Sequence, residues 1–532
     1  MERIGINAIL PFEMIEQIFC FLPHRDLKTV VLVCKRWRKV GESPNLWTWV
    51  SLKATSRTLS LMPGMIASRR LQRATTMIIR SIDTQLLEAV NMHPIMREVD
   101  FRFTNLSAVP PASLTQVING LESANLNYTS LNCEQTEAIL ASVSSADSKL
   151  RKLDLGNSKF SISVPEAPVS RSSIPQIEAT LKSVGLIDIS RIAIGLLSAA
   201  CSKLLEINLE NTRMTGLQAR ELFALVADAK TPLKVVRIGH NQLDSAGADL
   251  MGEAAGKLTE LGLSQTSLLP DQVKSVFASA AKNHSQLRRL DMDGNDLSWV
   301  PIRDLAAAVS SLEEVLLART SLTSSQMRTV LNVNPKHGCR RRRVLSMAGL
   351  NLSSIEPDLL AKAVATLNKA DLHHTSLTKD QATRLLISLS DAGNLLEDLN
   401  IGHNNLSLVD PTLFILLSKL TSATLNFCHL TSAQAENLFI GIQTGSTNMK
   451  RLLLGRNNLA ALQPALLASS VSSLEELRMR QSSLSDEQVE AILQQSVVGT
   501  NLKILMLADV RRRNIDTDLV NSAKGLIEHV NV

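Results

Sequence analysis

Leucines recur in a fixed order along most of this chain. From about residue 95 the pattern LxxLxLxx(N/T)xL repeats, for example as LLEINLENTRM from Leu204 and LRRLDMDGNDL from Leu287. Apolar residues at positions 1, 4 and 6 of each copy predict a short strand with one buried side. Each copy buries its apolar residues only when a neighbour stacks on it. The pattern therefore predicts an α/β fold, a curved solenoid with parallel strands on the concave face and helices on the convex face.

The spacing of the copies alternates. They begin at Met96, Leu121, Leu150, Leu204, Leu233, Leu258, Leu287, Leu312, Arg342, Leu367, Leu396, Leu420, Met449, Leu474 and Leu502. From Leu204 onward, intervals of 28–30 residues alternate with intervals of 24–25 residues, which defines a long and a short type. The long type carries a small residue at the turn, and the short type carries Asn except at Leu350. An Asn amide can bond backbone groups of a neighbouring turn.

A different pattern occupies residues 10–47. Pro11 fits the first position of a helix, and apolar residues then follow at helical spacing, namely Ile15, Ile18, Phe19 and Leu22. Pro23 ends this helix. Asp26 is a candidate N-cap for a second helix, whose apolar face comprises Leu27, Val30, Val31, Cys34 and Trp37. A short third helix is expected at Leu46 and Trp47.

These apolar faces exceed what three short helices can bury in each other, so part of them is expected to face a partner. The order and spacing resemble the F-box, although an ordinary helical cap on the next domain is the alternative. The resemblance implies docking onto a Skp-type adaptor of a cullin–RING (SCF) ubiquitin ligase. The residues implied in adaptor binding are Leu10, Pro11, Ile15, Ile18, Val33, Trp37, Leu46 and Trp47.

The alternating array is similar to ribonuclease-inhibitor-type leucine-rich repeats, so the whole chain resembles F-box/leucine-rich-repeat proteins. That resemblance implies a substrate-recognition subunit of an SCF-type E3 ubiquitin ligase, non-catalytic and without a cofactor. Two alternatives stay open: an interaction scaffold or inhibitor, and a GTPase regulator, each acting without the ligase. The expected domains are an F-box at 6–50, a helical junction with a degenerate repeat at 51–95, and the repeats at 96–532. A Ser/Pro-rich loop is expected to interrupt the repeats at about 156–180.

Non-leucine positions of each copy should line the concave face, where a protein substrate would bind. The predicted substrate-binding residues are Tyr128, Arg237, His240, Arg319, His373, His374, His403, Phe427, Arg456, Arg478 and Arg480. The last three arginines, with Phe427 one copy earlier, suit an acidic or phosphorylated segment. A solvated strand face balanced by Glu475 and Glu476 is the alternative. The histidines do not predict a metal site, because no cysteine or carboxylate apart from Asp371 clearly completes one. A proton-sensitive recognition patch and an ordinary polar face are the alternatives for them.

Composition limits the partners and the cellular compartment that we expect. The net charge of +6 over 532 residues gives no argument for nucleic-acid binding. Six scattered cysteines without a CxxC motif suggest reduced thiols in a cytoplasmic or nuclear protein. The acidic N-terminus is unlike a signal peptide, and no apolar run reaches membrane-spanning length, so no membrane partner is expected.

Overall fold

The structure is a computed structural model that describes most of the chain. The described residues are 11–20, 22, 27, 30, 32–52, 61–156, 187–228, 231–282, 284–333, 343–444, 447–498, 500–507, 515–527 and 529–531. They fall into two compact units, of which the first ends at Asn241 and the second begins at Gln242. The predicted loop at about 156–180 lies, except for Gly156, outside the described residues.

The N-terminal segment is helical. Helix α1 is Phe12–Phe19, helix α2 is Lys35–Gly41, and a 3₁₀-helix covers Pro44–Leu46. The rings of Phe19 and Trp37 meet edge to face with their centroids 5.3 Å apart, which joins α1 to α2.

The second helix differs from its prediction. The apolar spacing predicts one helix from Asp26 through Cys34 to Trp37, but Cys34 has extended backbone (φ −158°, ψ 166°) and a new helix begins at Lys35. The Sγ atom of Cys34 accepts a hydrogen bond from the Trp37 backbone N–H at 3.4 Å, so Cys34 caps α2. Asp26 lies outside the described residues.

In the remainder of the first unit, strands alternate with helices. The strands are β1 (Trp49–Leu52), β2 (Thr76–Ile79), β3 (Glu98–Asp100), β4 (Ser123–Asn125), β5 (Lys152–Asp154), β6 (Glu206–Asn208) and β7 (Val235–Arg237). The helices are α3 (Met62–Ile66), α4 (Thr84–Asn91), α5 (Pro111–Gly120), α6 (Cys133–Ser144), α7 (Ile194–Cys201) and α8 (Gly216–Ala227). A 3₁₀-helix covers Arg69–Leu71. Each strand pairs in parallel with the next.

The second unit continues the same alternation. Its strands are β8 (Glu260–Gly262), β9 (Arg289–Asp291), β10 (Glu314–Leu316), β11 (Val344–Ser346), β12 (Lys369–Asp371), β13 (Asp398–Asn400), β14 (Ser422–Thr424), β15 (Arg451–Leu453), β16 (Glu476–Arg478), β17 (Ile504–Met506) and β18 (His529–Asn531). Its helices are α9 (Ala248–Lys257), α10 (Pro270–Ala280), α11 (Ile302–Ser311), α12 (Ser324–Asn332), α13 (Pro357–Ala365), α14 (Lys379–Ser388), α15 (Ser432–Gln443), α16 (Pro464–Val471), α17 (Asp486–Val498) and α18 (Thr517–Leu526), with a 3₁₀-helix at Pro411–Lys419. These strands also pair in parallel in chain order.

The leucine pattern locates the strands closely. Strands β3 to β17 each begin two residues after a predicted copy start, which confirms the α/β repeat fold. Strands β1, β2 and β18 do not follow from the pattern. In β2, for example, the fully buried residues are Met77 and Ile79, so residues other than leucine occupy the buried positions of this strand.

Side-chain amides join neighbouring copies at the turns. The Oδ1 atom of Asn404 accepts hydrogen bonds from the backbone N–H groups of Thr375 (3.1 Å) and Leu377 (3.0 Å). Its Nδ2 group donates to the carbonyls of Leu372 and Ile401. The short-type Asn therefore closes the turn of the long copy before it, because buried backbone groups need partners.

Candidate functional site

The candidate site lies on the open face of the second unit, which we define as the sheet face opposite the helices. Positions 4 and 6 of each copy are buried, as with Leu399 and Ile401, so the alternating side chains of the strands point to the open face. A groove of about 1150 Å³ crosses this face over β12 to β17. We call it the strand groove; its lining includes Lys369, Asp371, Asp398, His403, Phe427, Leu453, Arg456, Glu475, Glu476, Arg478, Arg480 and Lys503.

One margin of the strand groove is a column of stacked side chains from four successive copies. The His403 and Phe427 rings stack with centroids 4.4 Å apart. The guanidinium carbon of Arg456 lies 4.4 Å from the Phe427 centroid. At the other end, the His374 ring meets the His403 ring edge-on at 6.2 Å. We call these four residues the stacked column.

Every member of the stacked column has left-handed backbone. Their φ angles lie between 56° and 60°, and each is the eighth residue of its copy. Two other copies carry glycine at this position, Gly294 and Gly349, with φ of 70° and 73°. A left-handed conformation costs a non-glycine residue roughly 1–2 kcal/mol. Large side chains are thus present at positions where glycine would have the lower conformational energy. Strained backbone of this kind is common at functional sites, so the surface that these side chains form is a candidate site.

The opposite margin consists of ion pairs. Asp398 lies 3.2 Å from the Lys369 ammonium and 3.6 Å from the Arg451 guanidinium. Glu475 pairs with Lys503 at 2.6 Å and with Lys450 at 3.3 Å. The hydrogen bond from Lys503 holds the pKa of Glu475 below its ordinary value. Each of the two carboxylates on this margin is therefore shared by two cationic side chains.

The three C-terminal arginines differ in their surroundings. Arg478 forms an ion pair with Glu476, as the solvated-face alternative expects. The Nη2 atom of Arg480 lies 2.9 Å from the Met506 sulfur. Arg456 packs on Phe427 and has no carboxylate partner among the residues that the structure describes. Arg456 is therefore placed to meet an anion in the groove.

The surroundings of His403 favour its neutral form. Burial lowers its pKa, and the neighbouring His373, His374 and Arg456 lower the pKa further. His373 itself bonds Asp371, with 2.9 Å between Nδ1 and Oδ1. An anion bound beside Arg456 would favour the protonated form of His403, because an opposite charge stabilises it.

The predicted substrate-binding residues are only partly brought together. His403, Phe427, Arg456, Arg478 and Arg480 line the strand groove, and His373 and His374 lie beside His403. Arg319 is in the same unit but does not line the groove; its side chain lies over Gly349 of the next copy. Tyr128, Arg237 and His240 belong to the first unit.

The first unit has an aromatic pair of its own. The Phe103 and Tyr128 rings stack with centroids 5.1 Å apart and planes 13° apart, and both residues have positive φ. Phe103 was not among the predicted residues, although it is the eighth residue of the copy that begins at Met96. Aligning that copy with the others would have found it.

The predicted adaptor-binding residues divide into exposed and buried sets. Ile18 and Val33 are 49% and 57% exposed, and Pro11 is also exposed. Ile15, Leu46 and Trp47 are buried within this chain, so they support the helices and leave little surface for a partner. The Trp47 indole N–H donates to the Gly41 carbonyl at 2.8 Å. Trp37 is half-buried, and Leu10 lies outside the described residues.

Two exposed apolar residues extend this surface beyond the prediction. Met14 and Leu32 are 48% and 73% exposed. Both residues belong to the helical pattern of the N-terminal segment. The sequence alone does not show that their side chains are exposed, so it did not identify them.

Across the described part of the chain, no group of three or more His, Cys, Asp or Glu is placed to hold a metal ion. None of the helices described is long and apolar enough to cross a membrane.

Comparison with known proteins gives a family match for the N-terminal segment. Residues 8–53 match the family model described as F-box-like. Among solved structures, the leucine-rich repeat-containing protein LegL7 from Legionella pneumophila is similar, with a TM-score of 0.36 and 15% identity over 54% of this chain and 97% of that chain. At this TM-score the similarity carries no functional argument. No curated protein matches the chain.

Proposed function

We propose that this chain, an F-box-like segment followed by leucine-rich repeats, is the substrate-recognition subunit of an SCF-type E3 ubiquitin ligase. The F-box-like segment would bind a Skp-type adaptor, and through it a cullin. The repeats would bind a protein substrate. Such a subunit acts in the cytoplasm or nucleus. It needs no catalytic group, because it raises the effective concentration of the substrate beside the conjugating enzyme that carries ubiquitin.

The apolar surface of the N-terminal segment carries the proposal. Met14, Ile18, Leu32 and Val33 are each 48–73% exposed within a short helical segment. Exposed apolar side chains concentrated in this way mark a protein interface. Pro11, Ile18, Val33 and the exposed part of Trp37 are therefore the predicted residues best placed to contact the adaptor. The strand groove would be the surface that binds an acidic or phosphorylated substrate.

Co-purification with the adaptor tests the proposal. The full chain would be co-expressed with a Skp-type adaptor and a cullin and recovered by its tag. We expect both partners to be retained, and the double substitution Ile18→Asp with Val33→Asp to reduce adaptor recovery at least tenfold. Leu408→Asp is the matched control, since Leu408 is 72% exposed in the second unit. Equal recovery by the double variant and the control would contradict adaptor binding through this surface and favour the scaffold alternative.

A further inference from the structure

The strand groove has the dimensions of a peptide site. From β12 to β17 there are five inter-strand steps, which at ~4.8 Å each give about 24 Å. An extended peptide rises ~3.3 Å per residue, so about seven residues would cross the groove. Its volume of about 1150 Å³ exceeds the roughly 300–1000 Å³ of small-molecule sites. The groove is therefore better matched to a chain segment than to a metabolite.

Charge is unevenly distributed along the groove. At the β12–β13 end the charged lining residues are two carboxylates and one ammonium, Asp371, Asp398 and Lys369. At the β15–β17 end five cations outnumber two carboxylates; they are Arg451, Arg456, Arg478, Arg480 and Lys503 against Glu475 and Glu476. Phe427 covers one face of the Arg456 guanidinium, which leaves its edge N–H groups for an acceptor. An anion is therefore favoured at the β15–β17 end and disfavoured at the β12–β13 end.

We infer that the strand groove binds an extended peptide segment whose negative charge is concentrated at one end and lies against Arg456 and Arg480. The inference rests on the proposed function, because it names the feature by which a substrate is recognised. Phe427 and Leu453 give the neighbouring residues of the segment an apolar contact. The anionic group is either an Asp or Glu carboxylate or a phosphate, since both accept two parallel N–H bonds from arginine.

A positional-scanning library of fluorescein-labelled decapeptides tests the inference with the full chain. Each position in turn carries every standard residue or phosphoserine. We expect selection of acidic residues or phosphoserine near one peptide end, and no such selection near the other end. Preference for Asp and Glu would identify a carboxylate source, and preference for phosphoserine a phosphate source; both support the inference. Absence of acidic selection, or acidic selection at every position alike, would overturn it.

Variants then locate the binding. For the best peptide, Arg456→Glu and Arg480→Glu should each weaken affinity at least tenfold, and Arg456→Gln should weaken it less. Arg384→Glu, on the solvent side of α14, is the charge-matched control and should stay within twofold. Circular dichroism of each variant checks folding. Equal effects at Arg456 and Arg384 would mean binding through overall charge and would reject the site.

Adaptor recovery from the same preparations separates this inference from the proposed function. Adaptor binding without end-selective peptide binding would overturn the groove inference and leave the ligase role standing. Selective peptide binding without adaptor recovery would do the reverse.

Discussion

Phe427 lies at 4.4 Å from the His403 ring and at 4.4 Å from the Arg456 guanidinium carbon. Because these residues come from three consecutive copies, Phe427 stands between the other two. Its ring thereby packs against both neighbours where they line the groove. In the proposed site Phe427 therefore has two roles, an apolar contact to the peptide and the support of Arg456.

Replacing the ring therefore tests this arrangement. Phe427→Leu should weaken binding of the selected anionic peptide about two- to fivefold, since an exposed cation–π contact is worth about 0.5–1 kcal/mol. Phe427→Tyr keeps the aromatic face and should bind as the unchanged chain does. Anisotropy titrations of the labelled peptide measure both. Equal affinity of the Leu and Tyr variants would show that Phe427 does not position Arg456.

The turn amides should be the most sensitive polar positions in the repeats. Asn404 is 2% exposed and bonds five backbone groups. Asn404→Ala leaves several of these groups buried without partners, so we expect a loss of about 3 kcal/mol in the free energy of unfolding. Urea unfolding followed by circular dichroism measures the loss.

The adjacent residue is a matched control. Asn405 is exposed and, among the residues that the structure describes, bonds only the nearby Ser407, so Asn405→Ala should cost less than about 1 kcal/mol. Similar losses for the two variants would contradict the assigned role of the Asn404 turn.

Asp293 should make stability depend on pH. Burial first, and then the Asp291 carboxylate, raise the pKa of Asp293 to about 7. Between the unfolded and folded pKa values the folded state holds the extra proton, so this residue's contribution to stability is lost as pH rises from about 4 to 7.

Asp293→Asn should therefore gain stability relative to the unchanged chain on going from pH 5 to pH 8, by at least about 1 kcal/mol. The amide oxygen can still accept the hydrogen bond that Ala318 N–H donates to Asp293. Urea unfolding at both pH values measures the gain. Asp271→Asn, at a side chain that is 86% exposed, is the control and should show no such gain. A gain that does not change with pH would contradict the raised pKa.

His403 should couple peptide binding to pH. Its lowered pKa leaves it neutral at pH 7.5, and an anion beside Arg456 favours its protonation. An Asp-containing peptide should bind at least threefold tighter at pH 5.5 than at pH 7.5. His403→Phe keeps a ring on Phe427 but cannot titrate, so it should flatten this dependence. The same dependence in the variant would assign the effect to His373, His374 or another group.

The sequence was a good guide to the fold wherever leucines mark the buried positions. It placed β3 to β17 to within a constant offset, and it identified the alternating Thr and Asn turns. It missed β2, where Met77 and Ile79 fill the buried positions, and it missed β1 and β18, whose residues do not match the full leucine pattern. It also ran the second N-terminal helix through Cys34, since apolar spacing cannot show that a sulfur caps the helix that follows.

The candidate site was predicted only in part. Aligning position 8 named His374, His403, Phe427 and Arg456, but it could not show that left-handed turns stack these side chains into one margin. The ion pairs of the other margin join residues of different copies, such as Glu475 with Lys503, and depend on strand register. The burial of Ile15, Leu46 and Trp47 likewise depends on tertiary contacts, which helical spacing in the sequence cannot predict.

The bond from each short-type Asn to the preceding long-type turn limits how such an array can be edited. Removing a single copy from the second unit would place two turns of the same type next to each other. Backbone N–H groups such as that of Thr375 would then lose the Asn side-chain oxygen that accepts their hydrogen bond. Removing a long copy together with the short copy after it keeps every remaining turn matched. The unit that can be gained or lost is thus a pair of copies, one long and one short. The ligand-binding surface should therefore lengthen or shorten by two strands at a time.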